Sequence, residues 1–210
     1  MDPVNTVDTM AMAREERGEL VDLLVTLTPE QWEAPTLCSE WCVREVVAHM
    51  FSYEELGRLQ LVGRFLRRGP GRANDLGVAA YADRSPDELI ALAKNHLQPT
   101  GLTAAFGGRI ALTDGTIHHQ DIRRPLGLPR RIPPERLLVV LDYARTAPPI
   151  RARTRIRGLT LRATDLDWTT GSGPEVTGPA EALLMALAGR PGITGELSGP
   201  GLPELAARIG

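Results

Sequence analysis

The chain has 210 residues, of which 42% are hydrophobic and 24% charged, with a formal net charge of −2. That is ordinary globular usage, long enough to bury a real core in one large domain or two small ones. The charge balance gives no support to a nucleic-acid partner or an anionic-membrane surface, either of which needs a basic surplus, and basic runs such as RFLRRGPGR and RARTRIR read as solvated faces.

No segment approaches the ~18 apolar residues of a membrane span. The N-terminal MDPVNTVDTMAM lacks the basic start and apolar run of a signal peptide, so a cytoplasmic location is expected. Cys38 and Cys42 are the only cysteines, and two thiols in such a chain are expected to be free. Lys94 is the sole lysine among 24 basic residues, beside 21 Gly and 17 Pro, a usage that points to a GC-rich genome.

Residues 5–28 read as a helix. Val7, Met10, Met12, Leu20, Leu23, Leu24 and Leu27 recur on one face, with acids and arginines on the other. Thr28-Pro29-Glu30-Gln31 has the pattern of a capping box opening a short turn. A second helix is predicted from Cys42 through GRFLRR, with Val43, Val46, Val47, Met50, Leu56, Leu59 and Phe65 as its buried stripe. Arg67 to Asp75 follows as a loop. Ser85-Pro86-Asp87-Glu88 opens a third helix, with a capping serine, Pro at the first helical position and acids in the first turn. A fourth is predicted over 109–122, although its interior Gly115 costs ~1 kcal/mol relative to Ala. Four such helices imply a bundle.

Beyond Gly127 the texture changes. LPRRIPPER is a linker or helix start, Glu135–Ala144 a helix and APPIRARTR another break, after which GLTLRATDLDW alternates as a strand does. TGSGPEV turns, GPAEALLMALAGR is a short helix, and ITGELSG and LPELAARI close the chain as a strand and a helix. The expected class is therefore α+β, with a helical domain over 1–128 and a small α/β domain over 129–210.

The chemistry concentrates in TDGTIHHQDIRRPLG, residues 113–127. Residues four apart on a helix share a face, so Asp114 and His118 can aim two donors at one ion while His119 points about 100° away. Asp121, three residues beyond His118, is placed as a further donor or as a partner that orients the histidine. Catalytic zinc commonly takes three protein ligands and leaves a position open. His49, between Val46 and Met50 on the apolar stripe of the second helix, is the best candidate for the third. Cys38 and Cys42 joining His49 in a thiolate site is the competing arrangement. His96 has no evident partner.

TLCSEWCVREVVAHM and TIHHQDIRRPLG resemble the second and fourth helices of the mycothiol-dependent maleylpyruvate isomerase family, within the DinB-like four-helix-bundle superfamily. GLTLRATDLDW, VTGPAEALLMALAGR and ELSGP are similar to its smaller C-terminal domain. The resemblance implies a divalent metal, most simply Zn²⁺, held by His49, Asp114 and His118. It implies mycothiol as the thiol cofactor or cosubstrate, in an actinobacterial host. It also implies an isomerase or thiol S-transferase acting on small electrophilic or carboxylate substrates. The family's C-terminal Gly-Arg falls on Arg190, the expected carboxylate clamp, with Arg123 and Arg124 as alternatives. Trp32 and Trp41 are expected in the core.

One position departs from the family pattern, where Glu usually stands in place of Asp114. Aspartate reaches ~1.5 Å less far, so the helix must approach more closely, a water must bridge, or the site is weaker. The competing functional class is a DinB-like metal-binding module without turnover, tied to stress response.

Overall fold

A computed structural model describes residues 7–38, 41–57 and 73–209. The chain is α+β and divides into two compact units, Met1–Leu128 and Pro129–Gly210.

The first unit is helical. Helix α1 spans Thr9–Leu24, shorter than the predicted 5–28 because Asp8 caps it. The Asp8 carboxylate accepts from the backbone N–H groups of Met10 and Ala11 at 3.1 and 3.0 Å, satisfying two of the donors a helix start leaves orphaned. Thr28 forms the expected capping box with Gln31 and opens the single turn α2, Pro29–Trp32. Helix α3 spans Val43–Phe51, with Glu45 accepting from the Cys42 N–H at 2.8 Å.

The second predicted helix is cut short after Phe51. Ser52 folds its hydroxyl back onto the His49 carbonyl at 3.1 Å, and the chain then turns Glu54 inward. The Glu54 carboxylate accepts from Arg17 at 2.5 Å, from the Thr100 hydroxyl and N–H at 2.8 and 3.0 Å, and from the Thr103 hydroxyl at 2.5 Å. Leu59, Phe65 and most of the predicted Arg67–Asp75 loop lie outside the described residues, and 73–79 are helical. The outer face expected for the first helix is also partly wrong, because Glu16 and Arg17 are buried at 1% and 3% exposure.

Helix α4 spans Pro86–Asn95, with Ser85 and Glu88 forming its capping box. Helix α5 spans Arg109–Arg123 and runs unbroken through Gly115. Gly108 caps its start at φ 83°, and a Cβ there would sit 3.2 Å from the Met10 Cα, so only glycine allows the close approach to α1. Helix α1 packs against α5 and α4, and α3 packs against both α4 and α5. Leu20, Leu24, Val43, Val46, Val47, Phe51, Leu89 and Ile122 fill the space between them, each worth about 1.5–3 kcal/mol on burial.

The second unit begins with α6, Pro134–Ala144, and a short helical turn α7, Ala152–Arg155. Its sheet has three strands, β1 Thr160–Ala163, β2 Thr169–Gly171 and β3 Glu175–Gly178, in the order β2-β1-β3. Strand β1 pairs antiparallel with β2 and parallel with β3, so Leu161 lies opposite both Thr170 and Val176. The single long strand predicted over GLTLRATDLDW is therefore β1 followed by a turn. Helix α8, Ala180–Leu187, is buried on nearly every side and packs on β1, β3 and α6. The strand predicted at ITGELSG is reduced to one bridge between Thr177 and Ser198. A 3-10 turn over Ile193–Glu196 precedes the bridge. Gly199 follows at φ 109°, where a Cβ would meet the Glu175 carbonyl oxygen at 2.4 Å. Helix α9, Leu202–Ile209, closes the chain. Among the described residues no helix is long and apolar enough to cross a membrane.

Removing Glu54 leaves the Arg17 guanidinium buried without its counter-charge. Glu54→Ala is expected to destabilise the chain by about 3–5 kcal/mol, read as a lowered denaturant midpoint; a loss below about 1 kcal/mol refutes the view that this carboxylate holds the turn after α3.

Candidate metal centre

His49 lies in the last turn of α3, and Asp114 and His118 lie one helical turn apart on α5. The two imidazoles are buried, at 6% and 7% exposure, while the Asp114 side chain stays 40% exposed. The Asp114 Oδ1 stands 3.7 Å from His49 Nε2 and 3.6 Å from His118 Nε2. One donor atom from each residue falls within 4.8 Å of the other two. A tetrahedral ion with bonds of ~2.0–2.2 Å holds its ligand atoms about 3.3–3.6 Å apart, so these donors need only small movements to close on one. The short carboxylate of Asp114 thus lies near both imidazoles. Gly115 does not loosen the helix beside it; α1 packs there, and a Cβ would touch the Glu16 side chain at 3.4 Å.

The adjacent histidines divide as their spacing predicts. His118 pairs through Nδ1 with the Asp121 carboxylate at 2.9 Å, and Asp121 is fully buried. An ionised carboxylate only accepts, so Nδ1 carries the proton and the Nε2 lone pair is left facing His49 and Asp114. His119 faces α1 instead, where its Nδ1 meets the buried Glu16 carboxylate at 2.8 Å. Its Nε2 accepts from Arg123 Nε at 2.8 Å. Arginine can only donate, so His119 is the neutral Nδ1–H tautomer, with both nitrogens engaged away from the metal-capable cluster.

Burial pushes the Asp114 carboxyl up, but the charge of His118 and the pairing with His49 outweigh it and hold the carboxyl at about 2. Its ionised form thus favours the folded state above the ordinary aspartate range, and that contribution is lost as pH falls through about 2. A metal ligand must be deprotonated, and Asp114 meets that condition throughout the working pH range.

Trp41 is half-buried and packs against the hydrophobic core of the helical unit. Its ring lies 4.7 Å from the His49 ring and 6.5 Å from that of His118, centroid to centroid, and so walls the cluster. Tyr53 meets His49 edge-on at 6.2 Å. Trp32 is in the core, 2% exposed. Neither cysteine is in a disulfide, and the two do not gather on His49. Cys42 caps α3, where burial pushes its thiol up. Cys38 groups with His118 and Asp121. His96 accepts no ion role either, since its ring bonds the Leu92 carbonyl at 3.0 Å.

Of the candidate clamps, Arg123 is committed to His119 and to the Leu128 carbonyl. Arg190 belongs to the second unit, where it bonds the Ala188 carbonyl at 3.4 Å after α8. Glu16 escaped sequence reasoning because an isolated acid on a helix reads as a solvent contact.

Residues 13–98 match the family described as mycothiol maleylpyruvate isomerase N-terminal domain. Two solved structures share the fold across 91% of this chain and 91% of theirs, each with a TM-score of 0.60. They are the mycothiol-dependent maleylpyruvate isomerase, 16% identical, and a histidine-to-alanine mutant of it, 15% identical. No curated protein matches the chain.

Asp121→Asn removes the charge that orients His118 while keeping the side chain's shape. A fall in Zn²⁺ affinity of roughly 10- to 100-fold is expected by competition with a chromogenic chelator. Unchanged affinity would show that His118 needs no such partner.

Proposed function

We propose that the protein is a zinc-dependent, mycothiol-using enzyme, a reading supported by the match of residues 13–98 to the mycothiol maleylpyruvate isomerase N-terminal domain family. Its reaction is either isomerisation of a maleylpyruvate-like substrate or thiol transfer to a small electrophile, in the cytoplasm of a mycothiol-producing actinobacterium. The observation that carries this reading is the convergence of His49 Nε2, His118 Nε2 and Asp114 Oδ1 on one point.

The donor set fits the ion. Two neutral imidazoles and one carboxylate suit Zn²⁺ and leave a coordination position for a thiol or water. A bound Zn²⁺ supplies Lewis acidity and makes a coordinated thiol a thiolate near neutral pH.

The protein's own groups do the rest. Asp121 keeps the His118 proton on Nδ1, so the Nε2 lone pair stays available. Trp41 lies against the His49 ring, 4.7 Å centroid to centroid, and helps to hold it in place. Asp114, the most exposed of the three ligands, marks the open face from which thiol and substrate approach. Arg190 is assigned to the substrate carboxylate, the pairing for which a guanidinium is shaped.

Chain purified without chelator is expected to carry roughly one zinc, the count for a single three-ligand site, and His49→Ala and His118→Ala to carry none by elemental analysis. A metal-free wild type that also refuses added zinc would sink the metal reading. Incubation with mycothiol then separates the reactions. Maleylpyruvate turnover without thiol consumption identifies an isomerase, and thiol loss matching loss of electrophile identifies a transferase. No turnover with either leaves a metal-binding module.

Arg190→Ala is expected to raise KM for a carboxylate substrate by on the order of 10- to 100-fold, the worth of one charge-assisted hydrogen bond, with zinc content unchanged. An unaltered KM removes Arg190 from the substrate site.

A further inference from the structure

Cys38 has no part in the proposed reaction, yet the fold sets it behind the metal centre. The Leu37 N–H bonds the Asp121 carbonyl at 3.1 Å and pins this loop to α5. The Thr36 hydroxyl accepts from the Cys38 N–H at 3.1 Å and donates to the Trp41 carbonyl at 2.7 Å. The Trp41 N–H in turn reaches the Cys38 carbonyl at 2.8 Å. The turn so formed brings one donor atom each from Cys38, His118 and Asp121 within 4.8 Å of one another. His118 and Asp121 are buried and Cys38 half-buried. The His118 ring therefore stands between two donor sets, with Nε2 toward Asp114 and Nδ1 toward Asp121.

We propose that Cys38, His118 through Nδ1, and Asp121 form a second cation site for a thiophilic ion, and that its occupation excludes an ion from the His49–Asp114–His118 centre. A thiolate beside an imidazole and a carboxylate selects soft cations such as Cd²⁺ or Cu⁺ over hard ones. The 2.9 Å between His118 Nδ1 and Asp121 Oδ2 is a hydrogen bond. An ion with bonds of ~2.0–2.3 Å needs those donors spread to about 3.3–3.8 Å, an opening that a half-buried loop thiol allows.

The exclusion holds for His118 as a neutral imidazole. A neutral imidazole has one N–H and one lone pair. With Nε2 bound to an ion, Nδ1 keeps the proton and donates it to Asp121. For Nδ1 to bind, that proton moves to Nε2, facing Asp114, and the Cys38 thiol proton leaves to solvent. The exclusion rests on the proposed first centre; the thiol site stands on its own three residues.

The test titrates the full chain, reduced and stripped of metal, with Cd²⁺ while thiolate-to-cadmium charge-transfer absorption is followed. It is repeated on zinc-loaded chain with a zinc indicator present. The band is expected to saturate at roughly one Cd²⁺ per chain, as a single three-donor site requires, and in the zinc-loaded protein to grow as an equal amount of zinc is released. Cys38→Ser should lose the band and keep zinc, whereas Cys42→Ser should keep both. His49→Ala should lose zinc and keep the band, so failure of the zinc reading and failure of this one are distinguishable. No band in the wild type, or one that survives Cys38→Ser, overturns the thiol site; a band with zinc retained overturns the exclusion.

Discussion

The contact between Glu16 and His119 sets the geometry of everything around it. A carboxylate 1% exposed and an imidazole with no exposed surface meet at 2.8 Å, and neither can leave without stranding the other in a low-dielectric interior. Arg123 closes the far side of the same ring. Helix α5 is thereby held at one rotation against α1. Because neighbouring side chains on a helix diverge by about 100°, locking His119 onto α1 turns His118 and Asp114 toward α3 and His49.

The two adjacent histidines are thus the same side chain put to opposite uses by their partners. Each donates a hydrogen bond from Nδ1–H to a buried carboxylate, Glu16 for His119 and Asp121 for His118. The difference lies at Nε2. An arginine occupies that lone pair in His119, whereas in His118 it faces another imidazole and a carboxylate. One is a structural bolt and the other a ligand in waiting. The same tautomer logic links the proposed metal centre to the proposed site at Cys38, since a neutral imidazole offers only one lone pair.

Asp114 illustrates how packing offsets a shorter side chain. Its oxygen stands at nearly equal distances, 3.7 and 3.6 Å, from the two imidazole nitrogens, so the lost methylene is made up by where the helices sit. Its partial exposure also leaves one side of the cluster open, which a catalytic site needs and a purely structural metal site does not.

The helical half, the capping residues and the pairing of Asp114 with His118 were legible in the sequence, because helical periodicity and hydrogen-bond chemistry at helix ends are local properties. Helix length after Phe51 was not. It is decided by Glu54 turning toward Arg17, Thr100 and Thr103, residues dozens of positions away. The buried state of Glu16 and Arg17 was hidden for the same reason, since a charged residue on a helix looks solvated until its partner is known. Likewise ITGELSG was expected as a strand, but a 3-10 turn over Ile193–Glu196 and Gly199 at φ 109° leave it a single bridge, Ser198 to Thr177. By itself the sequence determined which residue types could hold an ion and which helix faces carried them, because side-chain chemistry and a 3.6-residue repeat travel with the chain. Only the tertiary structure decided which nitrogen of each histidine was available and that Cys38 stands with His118 rather than His49, because a proton's place on a ring is set by contacts between elements far apart in sequence.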